Sequence, residues 1–86
     1  MAYDTLEYTL TIAMVKSLYS REQKRLVHRL KAAREKCGMH QREVAEHLGR
    51  SQSYVSKIES GQRRVDVFQL KELARVYKKD LTYFIQ

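Results

Sequence analysis

Between Gln41 and Gly61 the chain reads QREVAEHLGRSQSYVSKIESG, and this stretch leaves the backbone little choice. Val44, Ala45 and Leu48 put apolar groups at i, i+1 and i+4, one face of a short helix over Gln41–Leu48. Gly49 follows at once. A helix that must stop and turn sharply needs a left-handed residue there, and glycine adopts that conformation without steric cost. Ser51 can then cap a second helix by accepting an orphan backbone N–H. That helix, Gln52 to Glu59, has only Val55 and Ile58 as aliphatic anchors. Its opposite face carries Ser53, Ser56, Lys57 and then Ser60, all small or polar. So little to bury, with so flat an outer face, suits close docking on a polar surface.

Spacing narrows the reading further. Ala45 lies four residues after Gln41, Gly49 eight, Val55 fourteen and Ile58 seventeen. Ala45 is small where two crossing helices approach, Gly49 makes the turn, and Val55 and Ile58 anchor the second helix. This is the pattern of a DNA-binding helix-turn-helix. The joint occurrence of Gln41, Ala45, Gly49, Val55, Ile58 and the SKIESGQRR ending resembles the phage repressor/Cro-type, or xenobiotic-response-element-like, regulators. The resemblance runs from about Ser20 to Ile85. It implies an all-α, five-helix repressor-like domain over residues 20–86, with residues 1–19 as an N-terminal arm outside it.

Charge points the same way. Lys and Arg exceed Asp and Glu by seven, and the excess is uneven. Residues 21–86 hold 16 Lys+Arg against 8 Asp+Glu, whereas residues 1–20 hold one lysine against two acids. The helical part is therefore the polyanion-binding part. The absence of proline and the presence of only three glycines favour helices over a sandwich or barrel. At 86 residues the chain is near the low end for a self-sufficient core, so oligomerisation is a natural supplement. One cysteine, Cys37, excludes an internal disulfide and fits a reducing cytoplasm. No apolar run has membrane-span length, and Asp4 and Glu7 replace the basic start of a signal peptide.

The arm reads DTLEYTLTIAMVK over residues 4–16. Leu6, Tyr8, Leu10, Ile12 and Met14 alternate with Thr5, Glu7, Thr9, Thr11 and Ala13, a period of two that predicts a strand. Such a strand can pair with the same arm of another copy. A helix is the competing reading, since Asp4 and Glu7 have capping-box spacing and Leu6, Leu10 and Ala13 share a face. It leaves Ile12 on the wrong side.

Ser20 and Gln23 form an S-x-x-Q capping box that opens the next helix. Leu26, Leu30, Ala33 and Cys37 make its buried stripe, and Gly38 with Met39 has the form of a Schellman stop. Beyond Gly61, Asp66 and Gln69 make a second capping box with Val65 and Leu70 as a hydrophobic staple. Leu70, Leu73, Ala74 and Tyr77 continue the core. Asp80 caps a last short helix whose Leu81, Phe84 and Ile85 close it.

Roles for single residues come from the resemblance and from groove chemistry. Gln41 opens the first motif helix, where free N–H groups attract a phosphate. The family uses this glutamine's carboxamide in the same contact, but usually places Thr or Ser where His40 stands. The resemblance implies base readout from Gln52, Ser53, Ser56 and Lys57. Gln52 can grip adenine N6 and N7, and Lys57 a guanine edge or a phosphate. Arg50, Arg63 and Arg64 are phosphate candidates, with Tyr54 on the flank reaching the backbone or a thymine methyl. The family also pairs an arginine on the first helix with the glutamate ending the second motif helix. Here these are Arg34 and Glu59, which would orient the recognition helix.

No Gly-rich phosphate loop, HExxH, CxxC or triad-like grouping suggests an enzyme. His28, Cys37, His40 and His47 have no regular zinc spacing, and no cofactor is implied. The expectation is a sequence-specific regulator of double-stranded DNA, a repressor and a homodimer in the cytoplasm. The competing function is an antitoxin or protein-interaction module, because some members of the family act as antitoxins or are held by anti-repressors. The competing dimer interface is the C-terminal helix around Tyr83 and Phe84.

Overall fold

The computed structural model describes residues 5–86. Five helices follow one another in the described chain: α1 (Thr5–Lys36), α2 (Gln41–Leu48), α3 (Gln52–Glu59), α4 (Val67–Val76) and α5 (Leu81–Ile85). No strand occurs among the described residues. The all-α fold is as expected, but the arm is not a strand. Residues 5–19 are the opening turns of α1, continuous with the helix expected to begin at Ser20. A lone strand would leave both edges unpaired within one chain, because no second strand occurs among the described residues. A helix satisfies its own backbone. No Gly or Pro interrupts residues 5–36, and the threonines cost only a few tenths of a kcal/mol each. Ser20 is accordingly an exposed mid-helix residue and not a cap. Asp4, the cap in the helical reading of the arm, lies outside the described residues.

The stops are local and regular. Gly38 and Gly49 take positive φ of 71° and 65°. At each, two N–H groups turn back onto the helix that has just ended. Gly38 N–H donates to Glu35 O and Met39 N–H to Arg34 O. Gly49 N–H donates to Glu46 O and Arg50 N–H to Ala45 O. Both are Schellman stops, satisfying carbonyls that the helix leaves orphaned. At the starts, Ser51 Oγ accepts from Tyr54 N–H at 3.3 Å. Asp66 and Gln69 exchange both bonds of a capping box, at 2.8 and 3.0 Å. Asp80 Oδ1 accepts from Thr82 N–H.

These turns fold α2–α5 around the C-terminal end of α1. The core joins Leu30 and Ala33 of α1 to Val44, Ala45, Tyr54, Val55, Ile58, Leu70, Leu73, Ala74, Tyr77 and Phe84. Leu26, Met39, Leu48 and Val65 pack against it partly buried. Two expected core members stay outside. Cys37 lies just past the last residue of α1 and is exposed, with Sγ donating to Tyr77 O at 3.5 Å. Ile85 is 61% exposed, because the five-residue α5 can bury only the face that carries Phe84. Toward the N-terminus α1 runs past the bundle. Leu10, Met14, Val15 and Leu18 are all more than half exposed, and the molecule is 54 Å along its longest axis but 24 and 19 Å across.

Candidate nucleic-acid interface

α3 is only eight residues long, which is too short to hold itself in water. Three features fix it. Ser51 caps its start. Tyr54, Val55 and Ile58 sink one face into the core. At its last residue, Glu59 is gripped from two other elements. Arg34 Nε donates to Glu59 Oε2 at 2.7 Å and Arg34 Nη2 to Oε1 at 3.1 Å, a bidentate pair. Gln41 Nε2 donates to the same Oε1 at 3.1 Å. Arg34 Nη1 donates to Met39 O in the α1–α2 turn at 2.8 Å. The Glu59 side chain is 4% exposed and that of Arg34 12%, so the charges meet largely out of water. The hydrogen bond that Arg34 donates to Glu59 raises the Arg34 pKa above its already high ordinary value, and the guanidinium stays charged at every working pH.

The anchored face fixes which side chains point outward. Gln52, Ser53, Ser56 and Lys57 are all exposed on α3. Arg50, Arg63 and Arg64 are exposed in the turns before and after it. Tyr54, expected on the flank, is instead buried with 8% exposure. The guanidinium carbons of Arg50 and Arg63 lie 5.1 and 4.8 Å from its ring centroid, within cation–π range. The ring thus gathers arginines from opposite ends of the motif onto one patch. A groove of about 550 Å³ carries the basic surface on toward α1, lined by Lys24, His28, Lys31 and Arg64 beside Glu59.

Two polar roles were missed from the sequence. Gln41 was expected to spend its carboxamide outward. It sits at the first residue of α2, but one of its N–H groups is committed to Glu59. The N–H groups of residues 41–43 have no acceptor within the helix. His40 N–H donates to Glu43 Oε1 at 3.1 Å, so the unusual cap residue is compensated from inside the helix. Arg29 of α1 donates through Nη1 to the carbonyls of Tyr83 and Gln86 and ties α5 to α1. No signal in the sequence pairs residues so far apart.

Among the described residues no group of three or more His, Cys, Asp or Glu gathers as a metal site. No described helix is long and apolar enough to cross a membrane.

Two short helices around a left-handed glycine, the second exposing a small polar face framed by arginines, define a DNA-binding helix-turn-helix regulator. The helix-turn-helix family model matches residues 30–84, and the chain belongs to that family. A solved structure of an XRE-family like protein from Pseudomonas syringae pv. tomato str. DC3000 is 34% identical. The match covers 83% of this chain and 87% of that one, with a TM-score of 0.78. No curated protein matches.

Proposed function

We propose that the chain is a transcriptional repressor that binds a pseudo-palindromic double-stranded operator as a homodimer, with α3 in the major groove. The carrying observation is the rigid mounting of α3 by Arg34, Gln41 and Glu59, which presents Gln52, Ser53, Ser56 and Lys57 as one outward face. Four side chains read few base pairs. A two-fold dimer on half-sites about 34–36 Å apart doubles the information. Arg50, Arg63 and Arg64 take phosphates, with Tyr54 serving as the plate on which two of them rest. The N–H groups opening α2 take another phosphate together with the second N–H of the Gln41 carboxamide.

Selection from random duplexes tests this. The expected result is an enriched inverted repeat, with affinity falling about three to five decades between roughly 50 and 200 mM salt if some 6–10 phosphates are contacted. Gln52→Ala should cost about 1–3 kcal/mol on the selected site and relax one base position. Arg63→Ala should weaken all sequences alike and lower the salt slope by about one. Failure to enrich any motif would sink the operator reading and leave the antitoxin or protein-interaction module as the better account.

A further inference from the structure

The protruding half of α1 carries a stripe with a symmetry of its own. Glu7, Leu10, Met14, Leu18 and Arg21 follow one another at spacings of three, four, four and three residues, so all five share one helix face. All five are exposed, with Leu10 at 57%, Met14 at 67% and Leu18 at 54%. Outward from Met14 the spacing and the apolar character are the same in both directions. The charge is opposite: an acid ends the stripe on one side and an arginine on the other. Among the described residues neither end residue has an ion pair, the α1 pair nearby being Arg25 with Glu22.

We propose that a second copy of this chain docks on the stripe as an antiparallel helix, with the two-fold axis at Met14. Met14 then meets the partner's Met14, Leu10 meets the partner's Leu18, and Glu7 faces the partner's Arg21, each contact occurring twice. This rests on the dimer reading above and gives it an interface. The charge distribution selects the same place. Residues 21–86 carry 16 basic against 8 acidic side chains, while residues 1–20 are nearly balanced, so copies meeting through their bundles would set like charge against like. The stripe from Glu7 to Arg21 is about 21 Å long at 1.5 Å per residue. Four turns of paired helix bury less than the roughly 1,600 Å² of a standard interface, so the pairing is reversible and depends on concentration.

Sedimentation equilibrium of the intact chain without DNA tests the proposal, with variants at these surface positions. The wild type should associate with rising concentration. Glu7→Arg and Arg21→Glu should each weaken association roughly tenfold, since two attractive contacts become repulsive. The double variant Glu7→Arg/Arg21→Glu should restore it. In a Cys37→Ser background, Met14→Cys should oxidise to a covalent dimer across the axis. Leu10→Cys should not, because antiparallel copies hold those positions about 12 Å apart along the helix. Single charge variants that associate like the wild type would overturn the proposal in favour of another surface. So would Leu10→Cys linking as readily as Met14→Cys, or a chain that stays monomeric throughout. Loss of a selected DNA motif would leave these results untouched and would count only against the operator reading.

Discussion

The two halves of α1 have the same backbone and opposite surroundings. From Leu26 to Lys36 the helix is held on one face by the bundle, and Arg29 and Arg34 reach across to α5 and α3. Leu30 and Ala33 are at most 1% exposed there. From Thr5 to about Glu22 the helix is equally regular, but Leu10, Met14, Val15 and Leu18 face outward. Val15 lies eighteen residues before Ala33, five full turns, and therefore on the same face. One residue is buried and the other exposed only because the bundle ends between them. Local sequence makes the helix; neighbours decide which of its faces is a core.

The contrast can be broken from its strongest point outward. Arg34→Ala should have the largest effect, about 3–5 kcal/mol of unfolding free energy, because it strands the buried Glu59 carboxylate. Denaturant titration measures it, and a loss under about 1 kcal/mol would show that the pair is not what holds α3. Leu30→Ala should follow at about 2–5 kcal/mol, the removed apolar contact plus the cavity left behind. Raising the pH should act next. Burial pushes the Tyr77 phenol above its ordinary pKa. Between pH 10 and that raised value the unfolded chain has lost this proton while the folded chain keeps it. Stability from this group is therefore full below about pH 10 and falls above it by up to about 1.4 kcal/mol per pH unit. Tyr77→Phe should flatten that decline relative to the wild type; parallel stability curves would count against it. The smallest effect belongs to Leu18→Ala. Twelve residues before Leu30 and outside the bundle, it should change monomer stability by about 0.5 kcal/mol or less, and a core-sized loss would mean that the protruding half is packed after all.

The motif was the most legible part of the sequence because its determinants are local. Gly49, Ser51, Asp66 and Asp80 each set a turn or a cap through bonds within a few residues, and all four act as their spacing predicts. The Arg34–Glu59 pair spans 25 residues and was reached only through resemblance to a known family. The bonds of Gln41 to Glu59 and of Arg29 to α5 were missed for the same reason: these partners are fixed by the fold and not by spacing. The arm failed differently. Its alternation of apolar and polar residues fits a strand, but the same residues also fill two faces of a helix, and periodicity cannot choose between them. The absence of a partner strand could. Tyr54 was placed on the flank because aromatic side chains suit either side of a surface helix; the buried ring and its two arginines are a tertiary outcome.

The uneven anchoring of α1 has a consequence for how the molecule opens. Its hydrogen-bond ladder is uninterrupted over 32 residues, yet protection of those bonds from solvent exchange depends on what must be undone to break them. Amides near Leu30 and Ala33 are released only when the core comes apart, at the full free energy of global unfolding. Those near Leu10 and Met14 in a lone chain are released by local opening of the protruding half, at a small fraction of it. The helix therefore carries a gradient of lifetimes along its axis, steepest where it leaves the bundle between Glu22 and Leu26.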